Sequence, residues 1–425
     1  MRVLVVGSGG REHAIVKTAL KSSLVSEVHA APGNAGIARQ ATCHAVADSD
    51  NAGLLALAKE IDASLVVIGP EAPLCSGLAD ELIEAGFKVF GPGREAARLE
   101  GSKAFSKEIM QAAGVPTAGY ARFAEYQSAM AHLATISFPT VVKANGLAAG
   151  KGVIIAEAMA EAEDALRQCF IDRSFGDAGL DVLVEECLIG HECSVLALCD
   201  GETILALEPA QDYKRIYDGG RGPNTGGMGC YSPVPRVPSE FVEDIIELVH
   251  RPVVDELKKR GIEFRGVLYA GLMLTAGGPM VLEFNTRFGD PETQAILPRL
   301  ENDLVELMLS CADGTLAGHR LRWKEDRCVS VIMASAGYPL SSSKGDIISG
   351  LDDDGGLPGV EVYHAGTADQ EGSLVTNGGR VLAVSALAPT FTAARDKAYE
   401  AVRQVRFDGM QFRSDIASEP SAGER

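Results

Sequence analysis

Short apolar runs alternate with helix-forming stretches through the first hundred residues, and that alternation leaves few folds open. Residues 2–6, 27–31, 64–68 and 88–90 read as strands, and residues 12–20, 54–61 and 78–86 as the helices between them. A strand–helix series of this kind predicts a doubly wound parallel sheet, with helices on both faces. The strands end at Gly7, at Pro32-Gly33-Asn34 and at Gly69-Pro70-Glu71. Ligands of such folds sit beyond the carboxyl ends of the strands.

The chain continues to 425 residues, room for about three domains. A helix over 102–113 is capped by Ser102 and stopped by Gly114-Val115-Pro116. Residues 120–188 predict a small α+β lid: strands at 140–144, 152–156 and 182–186, with a helix near 160–169. A long helix follows at 239–260. The last hundred residues predict strands at 329–334, 360–363 and 380–385, a helix at 391–405, and a hairpin turn at Asn377-Gly378. The expected architecture is α/β: a doubly wound domain over 1–100, a larger body over 101–322 that carries the lid, and a small α+β domain over 323–425.

Composition narrows the function. Lys and Arg number 39 against 58 Asp and Glu, a net charge of −19. A nucleic-acid binder usually shows a basic footprint instead. No apolar run approaches the roughly 18 residues of a membrane span. Only four apolar residues precede Gly7 at the N-terminus after Arg2, too few for a secretory signal. Nine cysteines without a CxxC pair read as reduced thiols of a cytoplasmic protein.

Six segments are candidates for chemistry. Gly7-Ser8-Gly9-Gly10-Arg11-Glu12 follows the first strand but fails the dinucleotide fingerprint. Glu12 occupies the third glycine position, and the second strand ends in Ala30-Ala31-Pro32 without an acid. The turn either offers backbone N–H groups to a phosphate or is a plain tight turn. Asn145-Gly146-Leu147-Ala148-Ala149-Gly150-Lys151-Gly152 fails as a Walker A loop, because Asn145 and Gly152 replace the first glycine and the Ser/Thr. With a strand on each side it reads as a glycine-rich hairpin tip, a flap over a triphosphate. Lys143 in the preceding apolar strand requires a negative partner. Lys103 opens a helix against its dipole, at a cost of about 0.3–1 kcal/mol, and faces either a phosphate or solvent.

In the strand 281–287, alternation places Glu283, Asn285 and Arg287 on one face and Leu282 and Phe284, with Phe288 beyond, toward the core. A carboxylate and an amide two residues apart suit magnesium, and Arg287 suits a transferring phosphoryl group. Asp212-Tyr213-Lys214-Arg215 and the glycine-rich 222–229 loop read as backbone approaching a ligand, or as a flexible surface loop. The strand end at Glu185-Glu186, leading to Glu192, offers backbone groups to an adenine and a carboxylate to a ribose. His13, His29, His44 and His364 lie on separate elements without metal-ligand spacing.

The flap, the Glu283-Phe284-Asn285 strand and Arg287-Phe288-Gly289-Asp290-Pro291-Glu292 together resemble the ATP-grasp ligases, and within them the phosphoribosylamine–glycine ligase family. Segments 7–14, 31–36, 69–74, 99–105, 143–153, 222–229, 287–297, 364–367 and 376–382 carry the resemblance, which spans nearly the whole chain. It implies an ATP-grasp body and the ligation of glycine to 5-phosphoribosylamine through glycyl phosphate, a step of purine biosynthesis. ATP and Mg²⁺ (or Mn²⁺) would be the cofactors. The two small molecules would be the only partners, with no nucleic acid and no membrane, and the enzyme a monomer.

By motif, Lys103, Lys143, Gly150, Lys151 and Gly152 would meet the phosphates. Glu185, Glu186 and Leu188 would frame adenine, and Glu192 would hold the ribose. Glu283 and Asn285 would bind the metal. Arg287, Asp290, Asp212 and Lys214 would serve catalysis, and Gly9, Gly10, Asn34, Glu71, Asn224, Thr225 and Gly226 would line the substrates. Asn145 departs from the resemblance, which expects Asp. Another ATP-grasp ligase or carboxylase, a pterin- or NAD-type oxidoreductase, which the failed fingerprint counts against, and a non-catalytic nucleotide-binding module are the alternatives.

Overall fold

The doubly wound sheet forms as its pattern predicts. In the computed structural model, which describes residues 1–147 and 152–423, five strands run in the order Thr42–Cys43, Glu27–Pro32, Arg2–Gly7, Leu65–Ile68, Val89–Phe90. All neighbours are parallel. Successive residues of one strand enter different cores, because side chains alternate across a sheet. Leu4 and Val6 pack with Leu54, Leu74 and Leu82, whereas Val3 and Val5 pack with Ile15, Phe288 and Met308. The chain reverses its winding between Arg2–Gly7 and Leu65–Ile68, so a crevice opens at Gly7 and Gly69.

The body is an antiparallel sheet ordered Ile204–Ala206, His191–Asp200, Arg265–Thr275, Gly278–Asn285. A third sheet is ordered Gln211–Asp212, Gly229–Ser232, Arg327–Ala334, Arg380–Ala388, Glu361–His364. Two of its strands therefore come from the middle of the chain and are hydrogen-bonded into the C-terminal portion. The small sheet is ordered Tyr120–Phe123, Val182–Glu186, Thr140–Ala144, Val153–Ala156. It has its own core, with Leu133, Val142, Leu166 and Val184, and carries one strand and one helix, Tyr126–Leu133, beyond the predicted set. None of the nine cysteines is in a disulfide.

Three expectations are corrected. Asn377-Gly378 is not a hairpin turn. Ser373–Asn377 pairs with Thr367–Gln370 and Lys344–Ile347, while Arg380–Ala388 pairs with other strands, so the turn passes the chain between sheets. Gly378 is there for close approach: a Cβ on it would stand 3.0 Å from the Gly366 Cα. The hairpin lies upstream at Glu371-Gly372, where both φ angles are positive (51° and 82°), as a type I′ turn needs. Next, the long helix is interrupted. Ser239–Ile245 and Arg251–Lys259 flank one π turn, Ile246–His250. Pro252 lacks the N–H that would reach back one turn, which favours a local rearrangement of this kind. Finally, the register of Gly278–Asn285 slips at Leu282, because Gly271 pairs with Glu283 and Leu272 with Val281. The bulge turns Leu282 out of the core, so Val281 and Phe284 are the buried pair.

The π turn buries His250, with Nε2 3.2 Å from the Val195 carbonyl. Burial pushes its pKa down to about 4. His364, between the Gly355 carbonyl and Thr367 hydroxyl, is likewise pushed down to about 4 by burial. Between pH 4 and 6.5 the unfolded chain binds these protons and the folded chain does not. The stabilisation is therefore complete above 6.5 and lost as pH falls toward 4, at about 3 kcal/mol per histidine. Urea unfolding midpoints should drop between pH 7 and 4.5, and His250→Asn should flatten that drop. An equally steep drop in the variant would show that His250 is not a source.

Candidate active site

One cleft of about 1200 Å³ runs from the carboxyl ends of the parallel strands, past the small sheet, to the third sheet. Its lysine end is organised around a single carboxylate. Lys143, in strand Thr140–Ala144, donates from Nζ to Glu185 Oε2 (2.9 Å) and to the Leu282 carbonyl (3.1 Å). The bulge leaves that carbonyl available. Lys107, 2% exposed, sits 3.1 Å from the same Glu185 oxygen and donates to Thr117 Oγ1 (2.9 Å). Glu185 is itself 3% exposed, and its other oxygen is buried without a partner. Its side chain is therefore engaged with lysines, and the residue lines the cleft. Glu186, Leu188 and Glu192 line the cleft beyond it.

Lys103 donates to the Gly146 carbonyl at 3.2 Å. Burial lowers the pKa of both Lys103 and Lys107, opposed chiefly by Glu283 and Glu185 respectively. Lys107 escaped the sequence reading. Its position one turn after Lys103 was the available signal, since residues four apart share a helix face. Gly150 and Lys151 lie outside the described residues; Gly152 lines the cleft.

At the far wall, Glu283 and Asn285 line the cleft. Arg287 lies past the end of their strand, where the chain bends. It still reaches Asn285 Oδ1 at 3.3 Å, so the grouping arises through the bend and not by simple alternation. The guanidinium pairs with Glu100 (2.7 Å) and, as an ion pair without hydrogen-bond geometry, with Glu71 (3.4 Å). Burial works against the charge of Arg287, but Glu100 and Glu71 outweigh it and raise its pKa. Burial raises that of Glu100, which accepts from the Thr286 N–H at 2.8 Å. Glu283 and Asn285 offer hard oxygen donors. No cluster of three or more His, Cys, Asp or Glu residues suited to a metal occurs among the described residues. The pair thus fits an ion that completes its shell with ligand oxygens, as Mg²⁺ does.

A second charged group lies alongside. Lys214 Nζ sits between Asp212 (2.8 and 3.0 Å) and Glu192 (3.3 Å). Burial opposes its charge, yet Asp212 and Glu192 hold its pKa well above the usual value. Glu292, unforeseen and 3% exposed, accepts from Tyr269 Oη at 3.0 Å, and Ser194 lies 2.7 Å from that hydroxyl. Burial, then Asp212, raises the pKa of Glu292. Asp290 accepts from Gln294 (2.7 Å) and the Arg11 N–H (3.3 Å), with Arg380 at 3.4 Å. Burial alone would raise its pKa, but Arg380 and Arg11 keep it low. Neither arginine stood out in the sequence, because each lies far along the chain from its partner.

The N-terminal glycine turn is filled by Glu12. Its carboxylate accepts the Gly9 N–H (2.6 Å) and pairs with Arg11. A Cβ on Gly69 would stand 2.0 Å from Glu12 Oε1, and one on Gly9 2.7 Å from Oε2. These glycines make room for a carboxylate that takes an N–H a phosphate would use. Gly9, Glu71, Asn224, Thr225 and Gly226 line the cleft, but Gly10 and Asn34 are not among its lining residues. Gly10 packs on Gln294. Asn34 caps residues 35–38 and donates to the Ser8 and His364 carbonyls, 2.8 Å each. Thr225 Oγ1 is engaged with the Lys214 carbonyl at 2.7 Å. The histidines pair, His29 with His44 and His13 with the His364 N–H, rather than forming a metal site.

The chain matches three family models: phosphoribosylglycinamide synthetase N domain over residues 1–100, ATP-grasp (A) domain over 101–293, and C domain over 328–419. It is 48% identical over 421 residues to phosphoribosylamine–glycine ligase of Streptomyces coelicolor, covering 98% of this chain and 99% of that one. The Brucella melitensis ligase is 46% identical over 416 residues, covering 98% and 97%. Among solved structures, Thermotoga maritima phosphoribosylamine–glycine ligase superposes with a TM-score of 0.85 at 36% identity, covering 98% and 100%. The biotin carboxylase domain of Hydrogenobacter thermophilus 2-oxoglutarate carboxylase shares the fold, with a TM-score of 0.73 at 20% identity over 96% and 91%.

The shared counterion makes a test. Glu185→Gln leaves Lys107 and Lys143 buried against each other, which should cost about 3–5 kcal/mol in chemical denaturation. Adding Lys107→Met should return more than half of that. Strictly additive losses in the double variant would show that the two lysines do not depend on one carboxylate.

Proposed function

The chain belongs to the phosphoribosylglycinamide synthetase family, and on that premise we infer that it joins glycine to 5-phosphoribosylamine, converting ATP to ADP and phosphate and yielding glycinamide ribonucleotide for purine synthesis. The observation that carries this reading is one cleft in which buried lysines, the Glu283/Asn285 oxygens and Arg287 converge.

ATP lies with its adenine framed by Glu185, Glu186 and Leu188, its ribose at Glu192, and its phosphates toward Lys103, Lys143 and the glycine-rich segment that contains Gly150, Lys151 and Gly152. Glu283 and Asn285 would hold Mg²⁺ or Mn²⁺, which when bound would supply neutralisation of phosphate charge. A carboxylate oxygen of glycine attacks the γ-phosphorus, and the bond to ADP breaks. Arg287, already oriented by Glu100, holds the transferring phosphoryl group. The ribosylamine nitrogen then attacks the carbonyl carbon of glycyl phosphate; phosphate leaves and the nitrogen gives up a proton. Asp212, Lys214 and Asp290 orient the reacting groups, and Gly9, Glu71, Asn224, Thr225 and Gly226 line the phosphoribosylamine. Gly10 and Asn34 support this end through packing and helix capping. Catalysis is mainly positioning and charge neutralisation.

The enzyme works as a cytoplasmic monomer on small molecules, with neither nucleic acid nor membrane as partner. No helix among the described residues is long and apolar enough to cross a membrane.

Glycine labelled with ¹⁸O in both carboxylate oxygens should pass one label to released phosphate and keep the other in the product amide, with ADP as the only nucleotide product. Labelled AMP with pyrophosphate would overturn the acyl-phosphate route. Glu283→Gln should lower kcat on the order of a hundredfold and leave the thermal midpoint near that of the parent. Parental turnover of this variant at limiting magnesium would remove Glu283 from the metal site.

A further inference from the structure

We propose that Asn145 is a positioning residue that pins the strand carrying Lys143 to the helix carrying Lys103; its consequence for catalysis rests on the ATP reading above. Asn145 directly follows strand Thr140–Ala144, two residues after Lys143. Its side chain works in both directions. Oδ1 accepts from the Ala104 N–H at 2.9 Å and from the Ser102 hydroxyl at 3.2 Å. Nδ2 donates to Asp181 Oδ2, and the Asn145 backbone N–H donates to the Asp181 carbonyl at 2.8 Å. Ser102 is also the N-cap of helix Lys103–Ala113, accepting from the Phe105 N–H. The next residue, Gly146, gives its carbonyl to Lys103 Nζ.

One amide thus joins three elements: the end of the strand with Lys143, the first turn of the helix with Lys103, and Asp181 at the start of strand Val182–Glu186, which carries Glu185. Asp181 also forms a bidentate pair with Arg122, at 2.8 Å through Oδ1 and at 2.7 Å through Oδ2, the oxygen that takes Asn145 Nδ2. The arrangement suits Asn at 145, where the family resemblance expects Asp. An Asp at 145 would still accept from Ala104, but it would set a second carboxylate against Asp181 with no proton between them. Only an acceptor–donor side chain satisfies both neighbours.

The polarity of the pair can be reversed, and that supplies the experiment. Asn145→Asp should raise KM for ATP about tenfold, the size of one lost charge-assisted hydrogen bond, with kcat and the thermal midpoint close to the parent. Hydrogen exchange at the Ala104 and Asn145 amides of the ligand-free chain should speed up by a similar factor. The double variant Asn145→Asp/Asp181→Asn restores a donor opposite an acceptor, and should return both the exchange rates and KM to near-parental values. Failure of the double variant to improve on Asn145→Asp, or parental exchange in Asn145→Asp, would overturn the proposal. If exchange follows the swap while KM for ATP does not, the pin stands and the assignment of these lysines to ATP falls.

Discussion

The buried carboxylate of Glu185 is the interaction on which the rest of the cleft depends. Two lysines from different elements, Lys107 on a helix and Lys143 on a strand, enter the interior toward it. Neither could stay charged there alone, since an unpaired buried ion costs several kcal/mol. Their common partner fixes the small sheet against the helix and brings Lys103, one turn away, to the same wall. The Leu282 bulge belongs to the same arrangement, because it supplies the carbonyl that takes another of the Lys143 protons.

Charge is handled in the same way across the cleft. Arg287 stands between Glu100 and Glu71, Lys214 between Asp212 and Glu192, and Asp290 between Arg380 and the Arg11 N–H. Arg287 and Asp290 are held in orientation by partners from distant parts of the chain, and Lys214 by a neighbour two residues away together with Glu192. Such preorganisation spares reorientation at the moment of reaction, which is where electrostatic catalysis gains most. Glu12 extends the pattern to the N-terminal turn, where Gly7, Gly9 and Gly69 leave room for its carboxylate.

The parallel sheet was legible because strands buried on both faces write continuous apolar runs, as at Val3–Val6. The two-residue strand Thr42–Cys43 writes no such run. Regular alternation misplaced Leu282, because the bulge depends on the partner strand and leaves no mark in its own sequence. Asn377-Gly378 has the right local chemistry for a hairpin, yet ladder partners are chosen non-locally. The lysines, Glu283, Asn285 and Arg287 could be singled out since each sits in a local motif. Glu100, Arg11, Glu292 and Arg380 were not singled out, as their partners are visible only once the chain is folded, and Lys107 was missed although it shares a helix face with Lys103. Asn34 and Glu185 were noticed as residues, but their bonding partners give their side chains structural work.

The third sheet has a consequence for how the chain is made. Gly229–Ser232 is complete as a strand only when Arg327–Ala334 lies beside it. On the ribosome these segments emerge about a hundred residues apart, an interval of roughly 5–20 s at ordinary elongation rates. During that interval the N-terminal parallel sheet can close, while Gly229–Ser232 keeps an open hydrogen-bonding edge. Nascent chains are therefore most exposed to mispairing late in synthesis, when the cleft's substrate end is still waiting for its final wall.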